Sequence, residues 1–133
     1  MGRTAFITGA SSGIGRATAR AFAASNIDLI LCGRRKDRLE SLKQELQIQV
    51  KVHILVFDVA DFTAVQTAIA SLPPDFARID ILVNNAGNAH GLSTIQEGDL
   101  DDWTAMFQSN VMGLLHVSKC IMPQMVGRKD GHI

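Results

Sequence analysis

The sequence predicts an α/β fold: a doubly wound parallel sheet in three α/β/α layers. Two observations predict it. Short apolar runs alternate with amphipathic stretches along all 133 residues, the pattern of repeated β-α units. The third run, Val50 to Phe57, is almost continuously apolar, as suits a parallel strand covered on both faces.

The elements follow in order. Ala5-Phe6-Ile7 is a short buried strand that ends in a glycine-rich turn. A small amphipathic helix is expected from Gly13 to about Ser25, with Ile14, Ala17, Ala21 and Phe22 near helical spacing and Asn26 closing it. Asp28 to Cys32 forms the second strand, and Asp37 opens a charged helix with Leu39, Leu42 and Leu46 on one face. After the third strand, Asp61 caps a helix running to about Leu72, which Pro73-Pro74 ends. Ile79 to Val83 is the fourth strand. Asp101 or Asp102 is then expected to cap one long helix, Trp103 to about Val126, and His132-Ile133 would open a fifth strand. Such a series implies right-handed crossovers, one domain over residues 1–133, and a fold truncated after its fourth β-α unit.

Composition narrows the functional classes. Hydrophobic residues make up 47% of the chain, enough for a core, and thirteen basic residues balance thirteen acidic ones. That balance gives no reason to expect a nucleic-acid or membrane partner, and Arg34-Arg35-Lys36 is the one obvious basic patch. Met1 to Thr4 leads straight into a strand without a signal-peptide pattern, Gly2 reads as strand approach rather than a lipidation site, and no apolar stretch is long enough to span a bilayer. The two cysteines, Cys32 and Cys120, lie in apolar or helical patterns without paired spacing, which suits a reducing cytoplasm. The four histidines are scattered, so no metal site is expected.

The segment Thr8-Gly9-Ala10-Ser11-Ser12-Gly13-Ile14-Gly15 follows a strand and opens a helix within a β-α-β unit, the context a dinucleotide fingerprint requires. Gly9 permits the tight exit from the strand, Gly13 lets backbone approach a pyrophosphate, and Gly15 lets the helix pack close to the sheet. Free N–H groups and the positive end of the helix dipole then face the phosphates, and Ser11 and Ser12 add hydroxyl donors. A second motif, Asn84-Asn85-Ala86-Gly87, closes the fourth strand. At the end of the second strand, Gly33 stands where an acid would bind the ribose of NAD, and Arg34 and Arg35 follow. Guanidinium forks match a 2′-phosphate, so NADP is expected over NAD.

Thr-Gly-x-x-x-Gly-x-Gly combined with Asn-Asn-Ala-Gly resembles the short-chain dehydrogenase/reductase family, over essentially the whole chain. Ser71 to Pro74, Ile79 to Gly87, Asp102-Trp103 and the Pro123-x-Met125 step look like its NADP-dependent 3-hydroxy acid (serine) dehydrogenase subgroup. The resemblance implies a Rossmann-type domain and hydride transfer between a nicotinamide and a small carbonyl or hydroxy substrate. It implies adenine contacts at Asp58 and Val59, which otherwise read as a turn. It implies further cofactor contacts at Asn85, Ala86 and Gly87, with Asn84 structural. Asn110, within Ser109-Asn110-Val111-x-Gly113, matches the asparagine of the family's catalytic tetrad, where a local helix distortion helps hold a water in a proton relay. The other members are a serine and a Tyr-x-x-x-Lys pair, acting by general acid/base chemistry.

This sequence contains no tyrosine, and Ser118 and Lys119 lie too early to be carried over. The chain is therefore expected to bind better than it reacts. Family members form dimers and tetramers, and the last helix matches their dimer-forming helix. His90 reads as a solvated loop residue, Asp99, Asp101 and Asp102 as capping residues, and Met106, Met112, Met122 and Met125 as packing. Two other readings stay open: a genuinely short sensor or interaction module that binds the dinucleotide without catalysis, and a degenerate product whose fourth strand is an exposed apolar edge.

Overall fold

The structure, a computed structural model, describes residues 2–89 and 91–133. Four strands, β1 (Thr4–Ile7), β2 (Asp28–Gly33), β3 (Val52–Val56) and β4 (Ile81–Val83), form a parallel sheet in the order β3-β2-β1-β4. Helices α1 (Gly13–Ala24), α2 (Lys36–Leu46), α3 (Phe62–Ala70), α4 (Leu100–Phe107) and α5 (Gly113–Arg128) connect and follow them. The register pairs Ile7 with Leu31 on one side and with Val83 on the other. The chain winds outward from β1 through β2 to β3, then crosses back to place β4 on the other side of β1, which creates a switch point at the carboxyl end of β1.

Strand alternation divides the core. Ala5, Ile7, Leu29, Leu31 and Val52 point to one face and pack with Ala19 and Ala23 of α1 and with Leu39, Leu42 and Leu46 of α2. Phe6, Ile30, Cys32, Leu55 and Leu82 point to the other, against Val65 of α3 and Val117, Ile121 and Met125 of α5. This is the three-layer arrangement expected. His132 forms an isolated parallel bridge with Ile81, and Leu82 in the middle of β4 is buried.

Three local expectations need correction. The buried face of α1 consists of Gly15, Ala19 and Ala23, whereas Ile14 is 77% exposed and Ala17 and Ala21 are exposed too. Of the expected stripe only Phe22 packs against the core, partly buried, and the closest approach is at Gly15, where no Cβ would fit. The cap of α4 is Asp99, whose carboxylate accepts from the Asp101 N–H at 2.8 Å. Gly98 makes that early start possible, since a Cβ there would stand 2.3 Å from the Trp103 ring. Nor is the last helix continuous: residues Gln108–Met112 form a π-helical segment between α4 and α5.

At the amino ends of β1 and β4 a polar lock fixes the chain after α5. Asp80, buried, accepts from the Thr4 N–H at 2.9 Å and from Arg78 Nε at 2.9 Å, while Arg128 lies 3.8 Å away. Burial disfavours the charged carboxylate, but Arg78, the Thr4 N–H and Arg128 outweigh it and hold its pKa below the usual range. Arg128 also donates to the Ile79 carbonyl and, at 2.9 Å, to Gln124.

Candidate functional site

A cleft of about 420 Å³ opens at the carboxyl ends of the strands, at the switch point beside β1. That size and place suit a small-molecule or cofactor site. It gathers Gly9, Ser11, Ser12, Gly13 and Ile14 from the turn after β1, and Arg34 and Arg35 after β2. From beyond β3 and β4 come Asp58, Val59, Asn85, Ala86 and Gly87. Ala10 and Gly15 do not line it: Ala10 is fully buried and donates its N–H to the Cys32 carbonyl at 3.0 Å, and Gly15 supports the turn from behind. Thr8, Cys32, Gly33, Phe57, Asn88 and Ser109 line the cleft as well, beyond the residues singled out as site candidates. For Thr8, Gly33 and Asn88 the signal was adjacency to a motif; Ser109 reaches the cleft only through the tertiary fold.

The two motifs are parts of one assembly. Thr8 Oγ1 accepts from the Asn85 N–H at 3.0 Å and from the Ala86 N–H at 2.9 Å. Asn85 Nδ2 in turn donates to the Thr8 and Gly9 carbonyls at 3.2 and 3.1 Å. Gly9, with φ +65°, passes so near that a Cβ would lie 2.9 Å from the Ala86 Cα. Gly15 is tighter still: a Cβ there would lie 2.2 Å from the Gly9 carbonyl oxygen and 2.5 Å from Asn85 Nδ2. Gly13, at φ +53°, is the opposite case, with open space where a side chain would be.

Ser12 stands at the N-cap of α1 in an extended conformation without a side-chain bond into the helix. The first-turn N–H groups of α1 therefore have no intrahelical acceptor and face the cleft, a ready anion site. Among the described residues neither Arg34 nor Arg35 is in an ion pair. Both charges stand free at the cleft wall, beside Gly33 at the end of β2. This donor set fits a phosphorylated dinucleotide.

Asp58 lines the cleft, and its Oδ1 accepts from the Ala60 N–H at 3.0 Å in the turn before α3. Asn110 sits in the π-helical segment, with its Oδ1 accepting from the Asn88 N–H and its Nδ2 donating to the Asn88 carbonyl, each at 2.8 Å. That double clasp fastens the segment to the chain just beyond Gly87, whose missing Cβ would come within 3.0 Å of Asn110 Oδ1. Asn110 itself does not line the cleft; its neighbour Ser109 and its partner Asn88 do. Asn84 points elsewhere, donating to Ser118 Oγ at 3.0 Å. His90 lies outside the described residues. Among those described, no group of three His, Cys, Asp or Glu could hold a metal, and no helix is long and apolar enough to cross a membrane.

The sequence profile of the short chain dehydrogenase family matches residues 3–133. The chain belongs to the short-chain dehydrogenase family. Among its curated relatives, a sulfoacetaldehyde reductase from Chromohalobacter salexigens is 47% identical over 126 residues, covering 95% of this chain and 50% of that protein. A solved structure of serine dehydrogenase in a closed form complexed with NADP+ superposes with a TM-score of 0.91 at 38% identity, over 98% of this chain and 52% of that one. NAD+-bound xylitol dehydrogenase superposes with a TM-score of 0.92 at 31% identity, over 97% and 50%. The chain thus spans about half the length of the dehydrogenases it matches.

Proposed function

We propose that this chain is the cofactor-binding part of an NADP-dependent oxidoreductase. The enzyme would transfer hydride between the nicotinamide and a carbonyl or secondary alcohol of a small molecule such as a 3-hydroxy acid. One observation carries the choice of NADP: the cleft presents two guanidinium groups, Arg34 and Arg35, in no ion pair among the described residues, where Gly33 replaces an acid. Gly9, Ser11, Ser12, Gly13 and Ile14 would hold the pyrophosphate against the start of α1, with Ala10 and Gly15 shaping the turn from behind. Asp58 and Val59 would meet the adenine, and Asn85, Ala86 and Gly87 the ribose near the nicotinamide. Bound nicotinamide supplies the hydride chemistry. Asn110, clasped to Asn88, would shape the helix that holds a relay water.

A proton donor is the missing part, since the sequence has no tyrosine. The reading is therefore of a chain that binds the dinucleotide in the cytoplasm without turning over substrate by itself. A second reading is a module that binds the dinucleotide without catalysis. An exposed apolar stripe of Phe107, Val111, Leu115, Met122 and Val126 supports self-association through α4 and α5.

Titration with NADPH and NADH, followed by nucleotide fluorescence, tests the proposal. Saturable binding with NADPH the tighter ligand is expected. Tighter NADH binding rejects the role of Arg34 and Arg35, and no saturable binding of either rejects the cofactor site. Extending the chain to the length of its relatives and assaying carbonyl reduction separates the enzyme from the binding module.

A further inference from the structure

Val59, at the adenine end of the cleft, is held from behind by α5. Its carbonyl lies 2.8 Å from His116 Nδ1. A carbonyl can only accept, so Nδ1 carries the proton and the neutral ring is the Nδ1–H tautomer. The imidazole is fixed in turn by stacking on Phe62, the first residue of α3, at a centroid distance of 5.1 Å and a tilt of 33°. One turn earlier, Gly113 makes room for the Val59 side chain: a Cβ at Gly113 would lie 2.5 Å from Val59 Cγ2. Val59 is thereby gripped at its side chain and its backbone by two residues of one helix, and it is only 9% exposed. Its neighbour Asp58 is held by the Ala60 N–H, so each of the two adenine-end residues has its own anchor.

The geometry points to His116 as the positioning residue for adenine recognition, an inference that rests on the dinucleotide reading of the cleft. His116 does not line the cleft, and it acts through Val59. Without the Nδ1–H donor, the Val59 carbonyl loses its partner and the turn between β3 and α3 loses its tie to α5. The adenine would then meet a wall free to shift.

The test uses the whole 133-residue chain and two ligands, NADPH and adenosine 2′,5′-bisphosphate, the latter reporting on the adenine half alone. His116→Phe keeps a ring against Phe62 and removes the donor; His116→Asn places an N–H donor near the original Nδ1 position. His116→Phe is expected to weaken both ligands roughly five- to tenfold, the equivalent of one hydrogen bond, and His116→Asn to recover most of the loss. Nitrogen-15 chemical shifts of the neutral ring should report protonated Nδ1. Wild-type affinity in His116→Phe, no recovery in His116→Asn, or an Nε2–H tautomer overturns the inference while leaving the cofactor site standing. If the unmodified chain binds neither ligand, the dinucleotide reading itself falls and the inference falls with it.

Discussion

Two glycines a few residues apart on one turn make different demands on the chain. Gly15 lacks a side chain because the Gly9 carbonyl and the Asn85 amide occupy the space. Gly13 lacks one because its φ of +53° disfavours any Cβ, although the space is open. Gly15→Ala should therefore destabilise the fold by about 1–3 kcal/mol and distort the turn, since the clashing carbonyl is backbone. Gly13→Ala should cost about 1–2 kcal/mol of backbone strain and place a methyl in the cleft; its NADPH affinity should fall more than its stability. Urea unfolding beside NADPH titration measures both. Thr8→Val removes the hydroxyl that accepts two N–H groups; the Asn85 N–H keeps the Val83 carbonyl at 3.0 Å, the Ala86 N–H loses its acceptor, and the change should cost about 1–3 kcal/mol in the same assay. The glycines and asparagines were legible in the sequence. The double role of Thr8 was not, because its partners lie more than seventy positions away along the chain.

At the scale of the element, helices α1 and α4 and the edge strand β3 are instructive. The apolar stripe of α1 was misread because spacing alone cannot tell which face meets a sheet at van der Waals contact with backbone. Gly15, Ala19 and Ala23 form the buried face, and at Gly15 even a Cβ would clash with the Gly9 carbonyl. The π-helical turn was legible only through family resemblance, since no residue-level rule places it. Two hydrogen bonds from the Asn110 side chain fasten that turn to Asn88, while its backbone keeps an i→i+5 bond from the Gly113 N–H to the Gln108 carbonyl. On β3, His53 is partly buried against Phe76 at 5.3 Å, and burial, aided by the charge of Lys43, pushes its pKa down. A depressed pKa means that the folded state disfavours the imidazolium. Stability is full above the ordinary histidine value of about 6.5 and declines as pH falls through the lower folded-state value. His53→Gln should flatten that part of the stability-pH curve, measured by urea unfolding between about pH 5 and 7.5. A variant curve parallel to the wild type would reject the assignment.

Across the whole molecule, the cleft and the lock around Asp80 occupy opposite ends of the same strands. Asp80→Asn removes the charge that Arg78 and Arg128 face and should destabilise the chain by about 1–3 kcal/mol. In the wild type that contribution is present above the ordinary aspartate value of about 3.9 and is lost as pH falls through the depressed folded-state pKa. Acid unfolding of the two chains compares them, and the difference should vanish at the acid end. NADPH binding at neutral pH should survive the substitution, because the lock lies across the sheet from the cleft. Arg34→Ala with Arg35→Ala should do the reverse: stability near that of the wild type, NADPH affinity lower by about tenfold or more for two lost charge-assisted contacts, and NADH affinity little changed.

The sequence by itself determined the layer order, the parallel sheet, the family and most of the cleft. Each of these follows from short-range pattern: strand and helix periodicity, turn glycines, and motifs whose function is set by their place at a strand end. The tertiary structure alone decided which face of α1 is buried, where the last helix breaks, that Thr8 joins the two motifs, and that His116 reaches Val59 from another helix. Those features depend on contacts between residues far apart in the chain, and such contacts leave no periodic trace for a sequence to display.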